Sequence, residues 1–338
     1  MKLVVSGYYG FDNCGDEALL LAIKKGFSGH KISVLDKKNR FNFSMILKSD
    51  VLISGGGGLL QDKTSSKSFL YYAGIILFAR LLKKKIYIFA QSIGPITNFY
   101  NKILLKHVLN SADLITVRDE NSFRYIESLK LEHKNILQTD DPTLTLVPAQ
   151  AESIRKTAGS PYIGICPRSF KNMPPDLAES IASLCGILFS ELKANIVLIP
   201  FHGEQDYHFC KVIANKTAIP IKIVKYQADP LKTLGVISQM DLVIGMRLHS
   251  LIFAVKCLVP AIGISYDPKV ESFMEKVSLP VLPANELNNT DTISNYAKEL
   301  LDNKLGVIHS LEIINRKLYA NAQLNFELLK TSPLHPSP

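Results

Sequence analysis

The feature that most constrains this chain is a beat of short, apolar, β-branched runs, each followed by a segment with helical potential. "KLVVSGYY", "KISVLD", "DVLISGGG", "KIYIFAQSIG", "DLITVRD" and "NILQTD" come first. After the polar, proline-bearing stretch "PAQAESIRKTAGSPY" the beat restarts with "YIGICPRS", "ANIVLIPFH", "IKIVKYQ", "DLVIGMR" and "PAIGISY". Runs this short and this apolar suit strands buried on both faces, which means parallel sheets covered by helices. The predicted fold class is α/β: two Rossmann-like parallel-sheet halves with an interdomain cleft, a GT-B-like arrangement. A length of 338 residues agrees, since it suits two domains of roughly 150 residues each better than one. The expected boundaries are a first half over 1–147, a linker over 148–160, a second half over 161–309, a terminal helix over 310–330 and a disordered tail over 331–338.

Composition removes several function classes. The amino-terminal "MKLVVSGYYGFDNCGDE" is a first strand and not a signal peptide, because polar residues interrupt a short apolar run. The most membrane-like stretch, "SFLYYAGIILFARLLKKKIYIFAQ", is broken by Arg80 and by Lys83, Lys84 and Lys85 before it reaches the roughly 20 apolar residues of a spanning helix. It reads as a buried helix followed by a buried strand. The five cysteines are scattered and form no CxxC pair, which predicts a reducing cytoplasm and no structural zinc. A net charge of +9 favours polyanionic substrates or anionic lipid, and leaves a peripheral contact at the inner face of the cell membrane open. Nucleic acid is not expected: the basic residues form no recognition motif.

In open α/β sheets, ligands bind beyond the carboxyl ends of the strands. The polar groups there are therefore the candidate site. After the first strand, "GYYGFDNCGDE" gives a glycine-bearing turn and then Asp16, whose spacing does not match GxGxxG. Asp16 reads equally as favourable charge at a helix start and as a carboxylate able to take a proton from an alcohol. After the third strand, Gly55, Gly56, Gly57 and Gly58 offer close backbone approach to an anion, without the GKS/T of a P-loop. Gln91 and Ser92 follow the fourth strand as hydrogen-bond partners for sugar hydroxyls, and His202 and Asp267 follow strands of the second half. Arg118, Arg168 and Arg247 all emerge at strand ends, and three such planar forks ask for a small polyanion. Arg247, Leu248 and His249 form an Arg-Leu-His corner where a strand hands over to a helix. A helix start disfavours an imidazolium unless an anion lies beside it, so His249 suits a general acid that acts with a dianion bound. No His/Asp/Glu cluster has metal-ligand spacing, and Asp140-Asp141 reads as a turn before proline. A site of this kind fits an acid–base transferase, a GT-B nucleotide-sugar glycosyltransferase, or a non-catalytic glycan- or phosphate-binding module.

The ordered set "GYYGFDNCGDEALL", "ISGGGGLLQD", "AQSIGPI", "VRDENS", "DPTL", "GMRLHSLIFA" and "GISYDPKV" resembles the polysaccharide pyruvyl transferase family, specifically its cell-surface-anchoring pyruvyltransferases. The match runs through most of the length, although "FDN" stands where the family often has "FGN", and "FHGEQD" aligns least securely. The resemblance implies a metal-independent, cofactor-free enzyme that moves the enolpyruvyl carbons of phosphoenolpyruvate onto a sugar as a 4,6-ketal, releasing phosphate. It implies an acceptor such as N-acetylmannosamine on a lipid-linked cell-wall glycan precursor. It places Arg247, His249 and Arg118 at the donor, with His249 catalytic. Bottom-up chemistry adds Asp16 as the second catalytic group, Arg168 and the glycine loop as donor contacts, and Gln91, Ser92, His202 and Asp267 as acceptor contacts.

Overall fold

In the computed structural model, residues 1–63, 65–132, 135–154, 159–170 and 173–331 are described. Part of the expected linker, 155–158, and the tail 332–338 lie outside them. The chain divides into two compact units.

The first unit alternates β1 (Lys2–Ser6), α1 (Cys14–Gly26), β2 (Lys31–Leu35), α2 (Ser44–Leu47), β3 (Val51–Ser54) and α3 (Ser66–Leu81). It continues through β4 (Lys85–Gln91), α4 (Phe99–Asn110), β5 (Leu114–Val117), α5 (Glu120–Ser128) and β6 (Ile136–Gln138). All strand pairs are parallel, in the order β2-β1-β3-β4-β5-β6. One core cluster joins Leu52, Ile86 and Ile88 of the sheet to Ile46, Phe69, Ile76, Leu105 and Ile126 of α2 to α5. The inner strands β3, β4 and β5 are buried at their central positions, which is why they read as continuous apolar runs and not as alternating ones.

The second unit contains β7 (Tyr162–Cys166), α6 (Leu177–Leu192), β8 (Asn195–Leu198), α7 (Gly203–Ala214), β9 (Ile221–Ile223) and α8 (Pro230–Ile237). Then come β10 (Leu242–Gly245), α9 (Leu248–Lys256), β11 (Ala261–Ser265), α10 (Pro268–Lys276), β12 (Val281–Pro283) and α11 (Thr290–Asp302). The order β12-β11-β10-β7-β8-β9 is again wholly parallel. The α/β class with two Rossmann-like parallel sheets is therefore present, with one strand, β12, that the apolar runs do not announce.

Two segments depart from a simple division of the sequence. Asp12–Gly15 belong to the second unit: the Cys14 amide donates to the Phe201 carbonyl at 2.8 Å, and Asn13 bridges to His202 in antiparallel fashion. The final helix, α12 (Lys304–Thr331), starts earlier than residue 310, and from Leu318 onward it belongs to the first unit. Buried Asn325 fixes that part: its Nδ2 donates to the Asp140 carbonyl at 3.0 Å, and its Oδ1 accepts from Thr139 at 2.9 Å. The Phe326 ring packs edge-on to Phe27, with centroids 5.4 Å apart.

Candidate functional site

Each sheet has one point where the strand order reverses, and such points gather ligands because the connections leave in opposite directions. In the second unit it lies between β7 and β10. Gly245 pairs with Cys166 there, so Arg168 and Arg247 each stand two residues beyond matched positions of neighbouring strands. The sequence-predicted corner is built at this point, with α9 starting at Leu248 immediately after Arg247.

Arg247 is held by a residue the sequence reading did not single out. Its Nε donates to Asp206 Oδ2 at 2.6 Å and its Nη2 to Oδ1 at 2.7 Å, a two-point fork. The side chains are 8% and 0% exposed, so the pair is shielded from water on nearly every side. Asp206, in the first turn of α7, also accepts from the Phe201 amide at 3.2 Å. The carboxylate takes one edge of the guanidinium and leaves Nη1 directed elsewhere, so the charge is fixed in place with a donor to spare. Arg168 is oriented differently: its guanidinium lies 4.6 Å from the centroid of the Tyr266 ring and hydrogen-bonds the Tyr266 hydroxyl. Phe170 stacks on the other partner of that contact, 5.1 Å from Tyr266. Two arginines thus arrive at one strand-order reversal, one clamped by a carboxylate and one by an aromatic ring.

His249 sits in the first turn of α9, half-buried, and its imidazole lies against Gly15. A Cβ at Gly15 would overlap Nδ1 and the adjoining ring carbons, so only glycine fits there without moving the ring. The glycine read as part of a flexible turn is in fact a close-approach position for the histidine. His202 is the residue before α7, and Gly203 follows it with φ +43, a left-handed conformation against Asp12. Asp267 caps α10, accepting from the Lys269 amide at 3.1 Å. Burial, first, pushes the Cys166 thiol well above its ordinary value, so this cysteine beneath the corner is no thiolate nucleophile.

In the first unit the reversal lies between β1 and β3, whose ends carry Gly7–Gly10 and Gly55–Gly58. Gly57 takes φ +98 and faces the Asp16 carboxylate, while Gly55 covers the hydroxyl of fully buried Tyr9. Glu17 secures the first loop by accepting from the Gly10 amide at 2.6 Å. Asp16 is half-buried beside tyrosines: burial first, and its charge second, raise Tyr8 and Tyr9 above the ordinary phenol value. Tyr8, 37% exposed, stacks face to face on Phe11 at 4.2 Å with only 7° between the planes. Lys37 stands 5.4 Å over the Phe11 ring.

Three expected ligand contacts are occupied by the protein. Gln91 is 0% exposed, and its Nε2 donates to Ser54 Oγ at 2.7 Å and to the Ser54 and Gly55 carbonyls at 3.1 Å. Ser92, also buried, accepts from Arg118 Nε at 2.9 Å. Arg118 Nη1 reaches Asp141 Oδ2 at 2.5 Å in a buried ion pair. Asp141 itself caps the turn at Pro142, accepting from the Thr143 amide and hydroxyl at 2.9 and 2.6 Å. These groups brace the glycine loop and the end of β5. Among the described residues no group of three His, Cys, Asp or Glu could hold a metal ion.

A family model described as "Polysaccharide pyruvyl transferase" matches residues 13–268, most of the chain. No curated protein matches it in sequence. Among solved structures it resembles the S. aureus MnaA–UDP complex at TM-score 0.65 and 12% identity, covering 97% of this chain and 94% of that one. It also resembles Anabaena Alr3699/HepE in complex with UDP, at TM-score 0.63 and 13% identity over 98% and 99% of the two chains. UDP-GlcNAc 2-epimerase from Neisseria meningitidis bound to UDP-GlcNAc follows at TM-score 0.60 and 10% identity, over 98% and 100%. At such identities the likeness shows the fold, which is of the GT-B type.

Proposed function

The chain belongs to the polysaccharide pyruvyl transferase family, and from that premise we propose that it transfers the carboxyvinyl carbons of phosphoenolpyruvate to two hydroxyls of one sugar, forming a 4,6-ketal. The observation that carries the reading is the corner in the second unit. A buried arginine, clamped on one edge by Asp206, precedes by two residues a histidine whose ring is pressed against Gly15. Such a fork, unable to lose its proton, suits the carboxylate or phosphate of a small dianion.

In this reading the donor's phosphate and carboxylate are met by Arg247 Nη1 and by Arg168. His249 delivers a proton to C3 of the enol, which makes C2 electrophilic. A first sugar hydroxyl bonds to C2 and gives up its proton. A second hydroxyl then displaces phosphate from the same carbon, and that second hydroxyl's proton leaves with the phosphate. Two C–O bonds form, one C–O bond to phosphorus-bearing oxygen breaks, and nothing is oxidised or reduced. Asp16 is the proposed acceptor of a hydroxyl proton, and the stacked Tyr8–Phe11 pair offers an apolar face for a pyranose ring. The proposed acceptor is a β-linked N-acetylmannosamine of a lipid-linked cell-wall glycan precursor, and the site of action is the cytoplasmic side of the membrane. The proposed reaction needs no metal or cofactor.

The test is incubation with phosphoenolpyruvate and a glycosyl acceptor, following phosphate release and product mass, with and without a chelator. Stoichiometric phosphate and a product heavier by the pyruvyl ketal support the reading. A product bearing a sugar from a nucleotide donor identifies a glycosyltransferase instead, and binding without turnover identifies a carbohydrate-binding module. Activity lost to the chelator and restored by magnesium overturns metal independence.

A further inference from the structure

The helical layer over one face of the first unit's sheet is unusual for a surface that meets water. A helix packed on a sheet buries one stripe and turns charged residues outward. α3 turns apolar residues outward as well: it buries Phe69, Tyr72, Ala73 and Ile76, yet Leu70 and Leu81 on its outer side are 49% and 77% exposed. Its neighbours repeat the pattern. α4 packs against α3 and leaves Phe99, Tyr100 and Ile103 exposed by 70%, 78% and 44%. On the other side of α3, the segment before α2 lays Phe43 against Phe78, with ring centroids 5.6 Å apart, and is itself 39% exposed at Phe43. α4 and the segment before α2 each pack against α3, and α2 to α4 all cover the same core cluster, so these side chains lie on the outer side of one layer.

Charge is concentrated on the same stretch. From Lys37 to Lys106 the chain carries twelve lysines and arginines against two acids, Asp50 and Asp62. The whole chain's excess is +9, so this part supplies all of it. Asp62 is turned inward, where it bonds Thr97, Asn98 and Asn101. Exposed Lys67, Arg80, Lys102 and Lys106 interleave with the apolar side chains on α3 and α4.

We infer that this face, the outer side of the α2–α3–α4 layer, docks on an anionic lipid surface. Exposed aromatic and leucine side chains enter the boundary between headgroups and acyl chains, and the surrounding lysines meet the lipid phosphates. The contact is peripheral: α3 has 16 residues, about 24 Å of helix, and no helix among the described residues is long and apolar enough to cross a membrane. Charge complementarity selects lipid over a second copy of the chain, because two such strongly basic faces repel each other. Docking of this kind does not depend on the proposed reaction, and the two are tested separately.

The full-length protein is sedimented with vesicles of phosphatidylcholine alone and of phosphatidylcholine mixed with phosphatidylglycerol. Binding to the mixed vesicles alone, weakened by salt, is the expected result. Lys102→Gln with Lys106→Gln should weaken it roughly 25-fold, from about fivefold per surface charge. Phe99→Ser with Tyr100→Ser should weaken it at least as much, and loss through this pair should persist at low salt. Phosphate release with a water-soluble acceptor should be unchanged in both double variants, and unchanged circular dichroism melts exclude misfolding. Equal sedimentation with neutral and anionic vesicles, or wild-type binding by both variants, overturns the inference. So does a dimer in light scattering without lipid that either double variant dissociates, because the face is then an interface between copies.

Discussion

Replacing Arg247 alone cannot separate a donor-binding role from a structural one, because its partner Asp206 is wholly buried. Arg247→Met leaves that carboxylate with the Phe201 amide and no opposing charge, and Asp206→Leu leaves the guanidinium stranded in turn. Breaking a buried pair from either side costs about 3–5 kcal/mol, most of it the uncompensated charge. Replacing both with apolar groups of similar size removes the desolvation cost with the attraction, and is often neutral. The double variant should therefore unfold within about 1–2 kcal/mol of the wild type, with a coupling energy of roughly 3 kcal/mol or more from the cycle. It keeps the fold and lacks the guanidinium. Its affinity for phosphoenolpyruvate by calorimetry should fall by about 1.5–3 kcal/mol, the worth of a hydrogen bond to a charged group. By contrast, His249→Ala should bind the donor almost normally and lose roughly 10²–10⁴ in turnover. A stable double variant with wild-type donor affinity would reduce Arg247 to a strut for the strand–helix corner.

Gly15→Ala should force the His249 ring aside, lowering turnover by about 10²-fold while phosphoenolpyruvate still binds; near-normal rates in the folded variant would refute the close approach. Tyr9→Phe should stabilise the protein by about 1 kcal/mol in urea unfolding, since the buried Tyr9 hydroxyl has no hydrogen-bond partner among the described residues; a loss of stability would contradict this. Burial alone would raise the Asp62 carboxyl, but hydrogen bonds from the Asn101 side chain, the Thr97 and Asn98 amides and the Thr97 hydroxyl outweigh it and hold it at about 2. That stabilisation, at most about 2 kcal/mol after screening by solvent, is complete above the unfolded value near pH 4 and is lost as pH falls through about 2. Asp62→Asn should accordingly cost about 2 kcal/mol near pH 7 and little near pH 2, and an equal cost at both ends of a pH series of unfolding curves would refute the assignment.

Eleven strands were legible as short apolar or β-branched runs. The central ones are buried on both faces and apolar almost throughout, and the half-buried β2, β6 and β9 keep enough apolar residues to read the same way. The twelfth, Val281–Pro283, is three residues long at the sheet's edge and ends in proline, which carries no such signal. The partner of the final helix was hidden for a different reason. Asn325 reads as one more polar residue in a helical pattern, and its bonds to Thr139 and Asp140 link positions more than 180 residues apart. Gln91 and Ser92 were found by the strand-end rule but point inward. β4 shifts register between Ile88 and Gln91, and Ala90 takes φ +45. A one-residue irregularity sends each following side chain to the opposite face, and an apolar run gives no warning of it.

The same distinction governs the corner itself. Arg247 and His249 are visible because a charged residue directly after a buried strand has few structural reasons to be there. Asp206 was invisible because an acid in the first turn of a helix already has one, the favourable charge at the helix start. Only the fold shows that this carboxylate points at an arginine 41 residues away. Gly15 escaped in the same manner: a glycine in a loop after a strand is explained by the turn, so nothing in the sequence assigns it to a histidine 234 positions later. Residues with one sufficient local explanation are therefore where sequence reading loses the site, and they are the ones whose substitution should uncouple chemistry from folding. A segment written beside the first strand, Asp12–Gly15, which runs into the start of α1, is folded as part of the second unit and sets the space for the proposed acid. It follows that changes in "FDNCG" should act on turnover through His249 before they act on the sheet that precedes them.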